Sequence, residues 1–328
     1  MQKRKCRICG SDGVRAIGTV EYIVGFRWEV FECAGCKCRF TRHDRGVYEQ
    51  LHRTGAISYY SEYKRFVAAC ADLFGRGDLV GLRGLVATRS KYRAVVDAVQ
   101  SVPHEARLLE VGCSRGYLTS YFILAGRDVL GIDASEDAVN EARERFGDHF
   151  AVVGDPRIER GGPYDFIYHV GLIGCVGSPA DLTRYLLRLL RPGGTLFFNA
   201  PNRDALALRG QLWLDAAPPP DVVSLFPRGF WKRSFSDVAV VREDVELLSK
   251  EAAFRVALRR ACGLRWAVPR SQVMGGGETN GSVWTQDFGA VWRFFERACL
   301  KLARATGLVR CAPARPTDFG LFVTMERK

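Results

Sequence analysis

From residue 107 onward the chain alternates short apolar runs with helical segments, and this alternation limits the available folds more than any other feature. Arg107-Leu-Leu-Glu-Val-Gly112 reads as a buried strand, and Tyr117-Leu-Thr-Ser-Tyr-Phe-Ile-Leu-Ala125 as a helix that Gly126 ends. Asp128-Val-Leu-Gly-Ile-Asp133 is the next strand. Ser135 caps a second helix whose first turn carries Glu136 and Asp137, where the helix dipole favours negative charge. Further strands read at 149–153, 165–169 and 195–200, with a helix over 180–190 and the turn Arg191-Pro-Gly-Gly194. Such alternation predicts an α/β fold, a doubly wound parallel sheet covered by helices on both faces.

The glycines between the first strand and its helix are the next constraint. Gly112 and Gly116 let the backbone turn sharply and approach a ligand at the carboxyl edge of the sheet, and Asp133, ending the second strand, can accept hydrogen bonds from both hydroxyls of a ribose. A dinucleotide needs the order GxGxxG, whereas this chain has Ser114 at the second glycine and Tyr117 at the sixth position. Pyrophosphate fits poorly, which places a nicotinamide-dependent oxidoreductase last. An adenosine group with an amino-acid tail fits better.

Cysteine spacing bounds the other end of the chain. Five of the eleven cysteines fall at 6, 9, 33, 36 and 38. The pairs Cys6-x-x-Cys9 and Cys33-x-x-Cys36 bracket two period-two stretches, 18–24 and 26–31, and this is the pattern of a zinc ribbon over residues 1–45. Cys38 is an alternative to Cys36 as fourth ligand. Four thiolates leave no open coordination position, so the zinc is read as structural. No apolar run approaches the roughly 20 residues of a membrane span, and no signal peptide precedes the ribbon, so a cytoplasmic location is expected. A chain of 328 residues that is 47% hydrophobic buries a real core. Its net charge of +12 is spread along the length, compatible with an anionic partner without requiring one.

Taken in order, these stretches resemble the class I S-adenosylmethionine-dependent methyltransferases, over roughly residues 107–202. The likeness rests on Glu110-x-Gly112-x-Ser114-x-Gly116, Asp133, Val153-Gly-Asp155, Tyr164-Asp-Phe-Ile-Tyr-His169 and Leu189-Leu-Arg-Pro-Gly-Gly-Thr-Leu-Phe-Phe-Asn-Ala-Pro-Asn202. It implies a Rossmann-like domain that binds S-adenosylmethionine. Glu110 belongs to the matched cofactor motif, and Gly112, Cys113, Ser114 and Gly116 would line the methionine part. Asp133 and Ala134 would take the ribose, Asp155 and Pro156 the adenine edge, and His169 would lie near the sulfonium. Tyr60 and Tyr63, in a helix before the core, would close over the cofactor or pack as ordinary core. Where many relatives carry Glu-His after the fourth strand this chain has Gly174-Cys175, so the base is open. His169 is its best candidate by position, or else a histidine that packs without titrating.

The expected organisation is a zinc ribbon (1–45), a helical connector or lid (46–105) and a methyltransferase domain (106–328) whose stretch 203–318 covers the substrate. A closing strand is expected near 319–326. Arg293, Arg297, Lys301 and Arg304 recur along an amphipathic helix over 287–305, opposite Trp292, Phe295, Cys299 and Leu302. This is a cationic surface for nucleic acid, a phosphorylated substrate or a membrane face, or else a solvated outer face. The leading expectation is methyl transfer to a small-molecule, sugar or glycan acceptor through oxygen, nitrogen or carbon. The rivals are an RNA methyltransferase and a non-catalytic module that recruits a partner.

Overall fold

The computed structural model describes residues 5–23, 25–42, 46, 59–207, 211–215, 217–264 and 289–328. Strands β1 (Val14–Ile23), β2 (Phe26–Cys33) and β3 (Arg39–Phe40) come first, then helices α1 (Tyr59–Gly75), α2 (Leu79–Ala87) and α3 (Ser90–Val99). The alternating region runs β4 (Leu108–Val111), α4 (Tyr117–Leu124), β5 (Val129–Asp133), α5 (Glu136–Phe146), β6 (Phe150–Val152), α6 (Arg157–Arg160), β7 (Tyr164–His169), α7 (Pro179–Leu189) and β8 (Leu190–Ala200). Beyond it lie α8 (Asp204–Ala207), β9 (Ser224–Leu225), α9 (Phe230–Phe235), β10 (Ala239–Leu247), α10 (Lys250–Ala261), α11 (Ala290–Ala305) and β11 (Pro316–Arg327).

The chain packs as two units. One comprises Tyr60–Ala200, Gly229–Asp244 and Phe322–Lys328, and the other the described parts of Met1–Tyr59, Pro201–Arg228 and Val245–Leu321. The helices α1 to α3 therefore group with the alternating region, and the stretch 203–318, expected as one cover, is shared between the units. Residues 208–210, 216 and 265–288 within it lie outside the described residues.

The first unit holds most of a seven-stranded sheet of order β10-β11-β8-β7-β4-β5-β6. The pairs β4–β5, β5–β6, β4–β7 and β7–β8 are parallel. Strand order reverses at β4, whose neighbours are β5 on one side and β7 on the other, so the turn after β4 stands where doubly wound sheets bind ligands. All four residues of β4 are buried, as expected of a central parallel strand covered on both faces. Phe66 of α1, Tyr92 of α3 and Tyr117 of α4 form a cluster of ring pairs 5.5 to 6.0 Å apart, seating the preceding helices on the sheet. Across the core, Phe74 meets Phe146, which meets Phe150.

The second unit contains a four-stranded sheet, β1-β2-β3-β9. The expected hairpin is present, β1 pairing antiparallel with β2. Its last strand is unannounced by any local pattern: β9 pairs with β3 through Arg39↔Leu225 and Phe40↔Ser224. The Arg7 guanidinium donates to Ser224 Oγ at 2.6 Å, Arg39 to the carbonyls of Gln211 and Leu212 at 3.2 Å each, and Tyr22 to Asp215 Oδ1 at 2.8 Å. Glu32 takes Arg15 at 2.9 Å, Arg39 at 3.0 Å and Arg203 at 3.3 Å. Burial opposes the Glu32 charge, but the hydrogen bonds from Arg15 and Arg39 prevail and hold its pKa down at about 2. The ribbon is thus braced by Arg203, Gln211, Leu212, Asp215, Ser224 and Leu225.

Gly116 opens α4 at φ +74, and a Cβ there would lie 2.6 Å from two ring carbons of Phe150 and 3.1 Å from Ala142 Cβ. Gly126, past the end of α4, has φ +72 but nothing nearer than 3.7 Å. Gly126→Ala is expected to cost about 1 kcal/mol for the left-handed backbone alone. Gly116→Ala should cost about 2–4 kcal/mol, since overpacking adds to that strain. Urea unfolding of the two variants checks the difference, and equal costs would show that Phe150 yields freely.

Candidate functional site

The turn between β4 and α4 is built from left-handed backbone: Gly112 at φ +77, Ser114 at +50 and Gly116 at +74. Its start is fixed by the Gly112 and Cys113 N–H groups, which donate to the Ile132 carbonyl at 2.7 and 3.0 Å. The Asp133 carboxylate completes the frame. One oxygen accepts the Ser114 N–H at 2.8 Å and the other the Ser135 N–H at 2.9 Å, so the side chain joins the first turn to the start of α5. Each oxygen keeps acceptor capacity. Asp133 is half-buried and Ala134 beside it is exposed. This is the geometry a ribose diol requires: a carboxylate held still, with lone pairs to spare. Ser135 caps α5 by accepting the Ala138 N–H, as expected.

Asp155, after β6, is half-buried and Pro156, which opens α6, is exposed. The Asp155 carboxylate accepts the Arg157 N–H at 2.8 Å and Arg157 Nε at 3.2 Å, the backbone bond being the main reason its pKa lies below the usual carboxylate range. The carboxyl edge of the sheet therefore gathers Gly112, Ser114, Gly116, Asp133, Ala134, Asp155 and Pro156. A shallow pocket of about 230 Å³ lies at the opposite edge, lined by Arg107, Asp128, Arg160 and Tyr164, away from these groups.

Three expected members of the site point inward instead. Glu110 is 3% exposed, and its Oε2 accepts Thr119 Oγ1 at 2.5 Å and Tyr168 OH at 3.1 Å. Burial raises its pKa to about 7 against those hydrogen bonds. It braces β4 against α4 and β7 from below the turn. The Cys113 side chain is fully buried in the same core and its thiol is pushed well above its ordinary pKa by burial, leaving only its backbone at the turn. His169 ends β7 with no exposed surface, its ring 4.6 Å from Phe198 in a stacked arrangement. Neither of its nitrogens has a hydrogen-bond partner among the described residues. Burial lowers its pKa to about 3, which makes the ring a weak base, and with no exposed surface it favours the packed alternative over the general base. The side chains of Tyr60 and Tyr63 lie outside the described residues.

Sequence reasoning missed the partners. Leu172 covers Gly112, with its methyl carbons 3.5 Å from the place of a Cβ, and Asn199 Oδ1 accepts the Gly171 N–H at 2.8 Å, pinning the loop after β7. Asn199 stands inside the motif that carried the resemblance, and the available signal was a polar residue closing the apolar run Leu196-Phe-Phe198.

In the other unit the sulfurs of Cys6, Cys9, Cys33 and Cys36 all lie within 4.8 Å of one another. Cys6 and Cys36 are 3.8 Å apart and Cys9 and Cys33 3.7 Å. Tetrahedral Zn²⁺ with sulfurs at about 2.3 Å puts them about 3.8 Å apart, so the donor set fits that ion. Cys38, the alternative fourth ligand, directs its thiol to the Cys36 carbonyl at 3.9 Å and stands outside the cluster. Burial opposes ionisation of Cys33, yet hydrogen bonds from the Cys36 and Gly35 N–H groups bring its thiol down to about 7, whereas the thiols of Cys6, Cys9 and Cys36 are pushed up. Lys37, at φ +62, takes the left-handed position that closes the second knuckle.

Residues 83–238 match the family model described as a methyltransferase domain. The ubiquinone biosynthesis O-methyltransferase of Methylococcus capsulatus is 33% identical over 108 residues, 31% of this chain and 46% of that protein. Its namesake in Sinorhizobium fredii is 31% identical over 129 residues, 38% of this chain and 50% of that protein. The chain thus spans about half the length of the curated relatives it matches. Among solved structures, a SAM-dependent methyltransferase from Archaeoglobus fulgidus aligns at a TM-score of 0.41 with 15% identity, over 75% of this chain and 94% of that one. Among the described residues no helix is long and apolar enough to cross a membrane.

Two predictions follow from these groups. Glu110, raised to about 7, binds a proton in the folded state that the unfolded chain has released, so its contribution to stability falls as pH rises from about 4.5 to about 7. His169, lowered to about 3, does the opposite: stability is lost as pH falls below about 6.5. The slopes oppose between pH 4.5 and 6.5, so Glu110→Gln should leave the His169 slope alone. Stability across that window should then rise with pH more steeply than in the wild type, the difference reaching on the order of 3 kcal/mol; parallel curves would contradict the Glu110 assignment, and a variant curve that stays flat would contradict the His169 one. The purified chain should hold one zinc by elemental analysis, and Cys9→Ser should lose it while the methyltransferase unit stays folded; retained metal would exclude this ligand set.

Proposed function

We propose that this chain, whose residues 83–238 match the methyltransferase-domain family model, is a class I S-adenosylmethionine-dependent enzyme that transfers a methyl group to an oxygen of a small-molecule or glycosyl acceptor. The observation that carries the reading is the Asp133 carboxylate, held by the Ser114 and Ser135 N–H groups at the strand-order reversal of the sheet. The choice of oxygen is supported by relatives named for O-methylation in ubiquinone biosynthesis.

In this reading the backbone of Gly112, Ser114 and Gly116 holds the amino-acid tail of the cofactor, Asp133 and Ala134 its ribose, and Asp155 and Pro156 its adenine edge. S-adenosylmethionine supplies an activated sulfonium methyl with a neutral leaving group. The residues then need supply no acid. They orient the donor, exclude water and leave the acceptor to be held in line, an arrangement worth up to about 7–11 kcal/mol in favourable cases. His169 closes the floor behind Phe198 as a neutral ring and takes no proton. The zinc is structural, because four thiolates leave no open coordination position for substrate.

Asp133→Ala is expected to weaken S-adenosylmethionine binding in calorimetry by about 2–3 kcal/mol, the scale of a charge-assisted pair of hydrogen bonds. An unchanged affinity in a variant that still unfolds cooperatively would remove the ribose role. Conversion of S-adenosylmethionine to S-adenosylhomocysteine with phenolic and glycosyl acceptors tests the reaction, and turnover that instead requires total RNA would replace the acceptor class.

A further inference from the structure

Helix α11 carries two apolar bands, only one of which is packed. The inner band, Leu300 and Ala303, is buried and packs with Val309 and Phe254. On the same side Glu296, 4% exposed, pairs with Arg259 at 2.9 Å. The outer band runs Val291, Phe294, Phe295, Ala298 and Leu302, at spacings of i, i+3, i+4, i+7 and i+11, a stripe about 100° wide. It is open to solvent: Val291 is 84% exposed, Phe294 76% and Leu302 65%. Phe295 and Leu302 do lie across the helix from the cations, but both are exposed to solvent rather than packed.

Arg293, Arg297, Lys301 and Arg304 form a cationic band along one flank of that stripe. The helix has one carboxylate, Glu296, and it is buried and paired, so nothing acidic on α11 offsets the band. Arg304 is partly neutralised by Glu251 of α10 at 2.6 Å.

The two bands together select an occupant. A nucleic-acid duplex would satisfy the cations and leave the phenylalanines in water, and a single strand stacking bases on Phe294 and Phe295 would leave the aliphatic Val291 and Leu302 uncovered. A second copy would bury far less than the about 800 Å² per partner of a standard interface through five side chains, and would bring two cationic bands side by side. A surface of anionic phospholipid satisfies both, with Phe294 and Leu302 entering the boundary of the acyl chains and the arginines meeting phosphates. We propose that α11 is an interfacial helix that seats this unit on an anionic lipid surface.

Flotation of the full chain with vesicles tests this. Wild-type protein should float with vesicles of phosphatidylcholine and phosphatidylglycerol, at least about tenfold more weakly with phosphatidylcholine alone, and less as salt rises. Phe294→Ser with Leu302→Ser should lower partition to the anionic vesicles by about tenfold or more, and Arg297→Glu with Lys301→Glu should do the same without touching the apolar stripe. All four side chains are exposed, so both variants should keep the wild-type thermal transition and zinc content, which serve as controls on folding. Failure to float with either vesicle, or flotation that both variants retain, overturns the proposal. So does a concentration-dependent dimer in sedimentation velocity that the Phe294→Ser, Leu302→Ser variant loses, which would assign the stripe to a second copy.

Discussion

One carboxylate ties the candidate site together. Asp133 spans the gap between two loops of different strands by accepting one N–H from each, and the left-handed conformation of Ser114 is what aims the first of those groups at it. Ser114 is not glycine, so its φ of +50 carries a conformational cost that the surrounding contacts must outweigh. The carboxylate bond and the paired hydrogen bonds to the Ile132 carbonyl do so. A backbone turn of this kind, strained and braced at once, presents donors and acceptors without having to reorganise when a ligand arrives.

Charge is distributed around that turn by depth. Groups at the rim, Asp133 and Asp155, are anchored by backbone N–H groups with their carboxylates still reachable from solvent. Groups a layer below, Glu110, Cys113 and His169, are buried and kept neutral or nearly so by the cost of taking charge out of water. The site thus rests on a floor in which burial suppresses charge, and its rim carboxylates stand on the side a ligand would approach.

Much of this was legible because local and global signals agree. The apolar runs of β4, β5, β7 and β8, the Ser135 cap and the cysteine pairs each determine structure within a few residues. What escaped was set by contacts distant in sequence. β10 reads Ala-Val-Val-Arg-Glu-Asp-Val-Glu-Leu, too charged to announce a strand, and forms because β11 offers it a neighbour at the edge of the sheet. The inward turn of Glu110 depends on Thr119 and Tyr168, and no spacing in the sequence shows that β7 brings a hydroxyl to it. The titration of His169 likewise depends on burial that only the packed rings of Phe198 and its neighbours create.

The strand that finishes the ribbon sheet bears on how the protein is made. Ser224 and Leu225 follow Arg39 and Phe40 by about 185 residues, so a chain growing from its amino end exposes the outer edge of β3 for most of its synthesis. The four cysteines that could hold a metal all lie within the first 36 residues, so a zinc ion there would set the knuckles long before that edge is covered. Metal bound by the nascent chain would then act as a holding step, keeping a half-built sheet in register until translation delivers its missing partner.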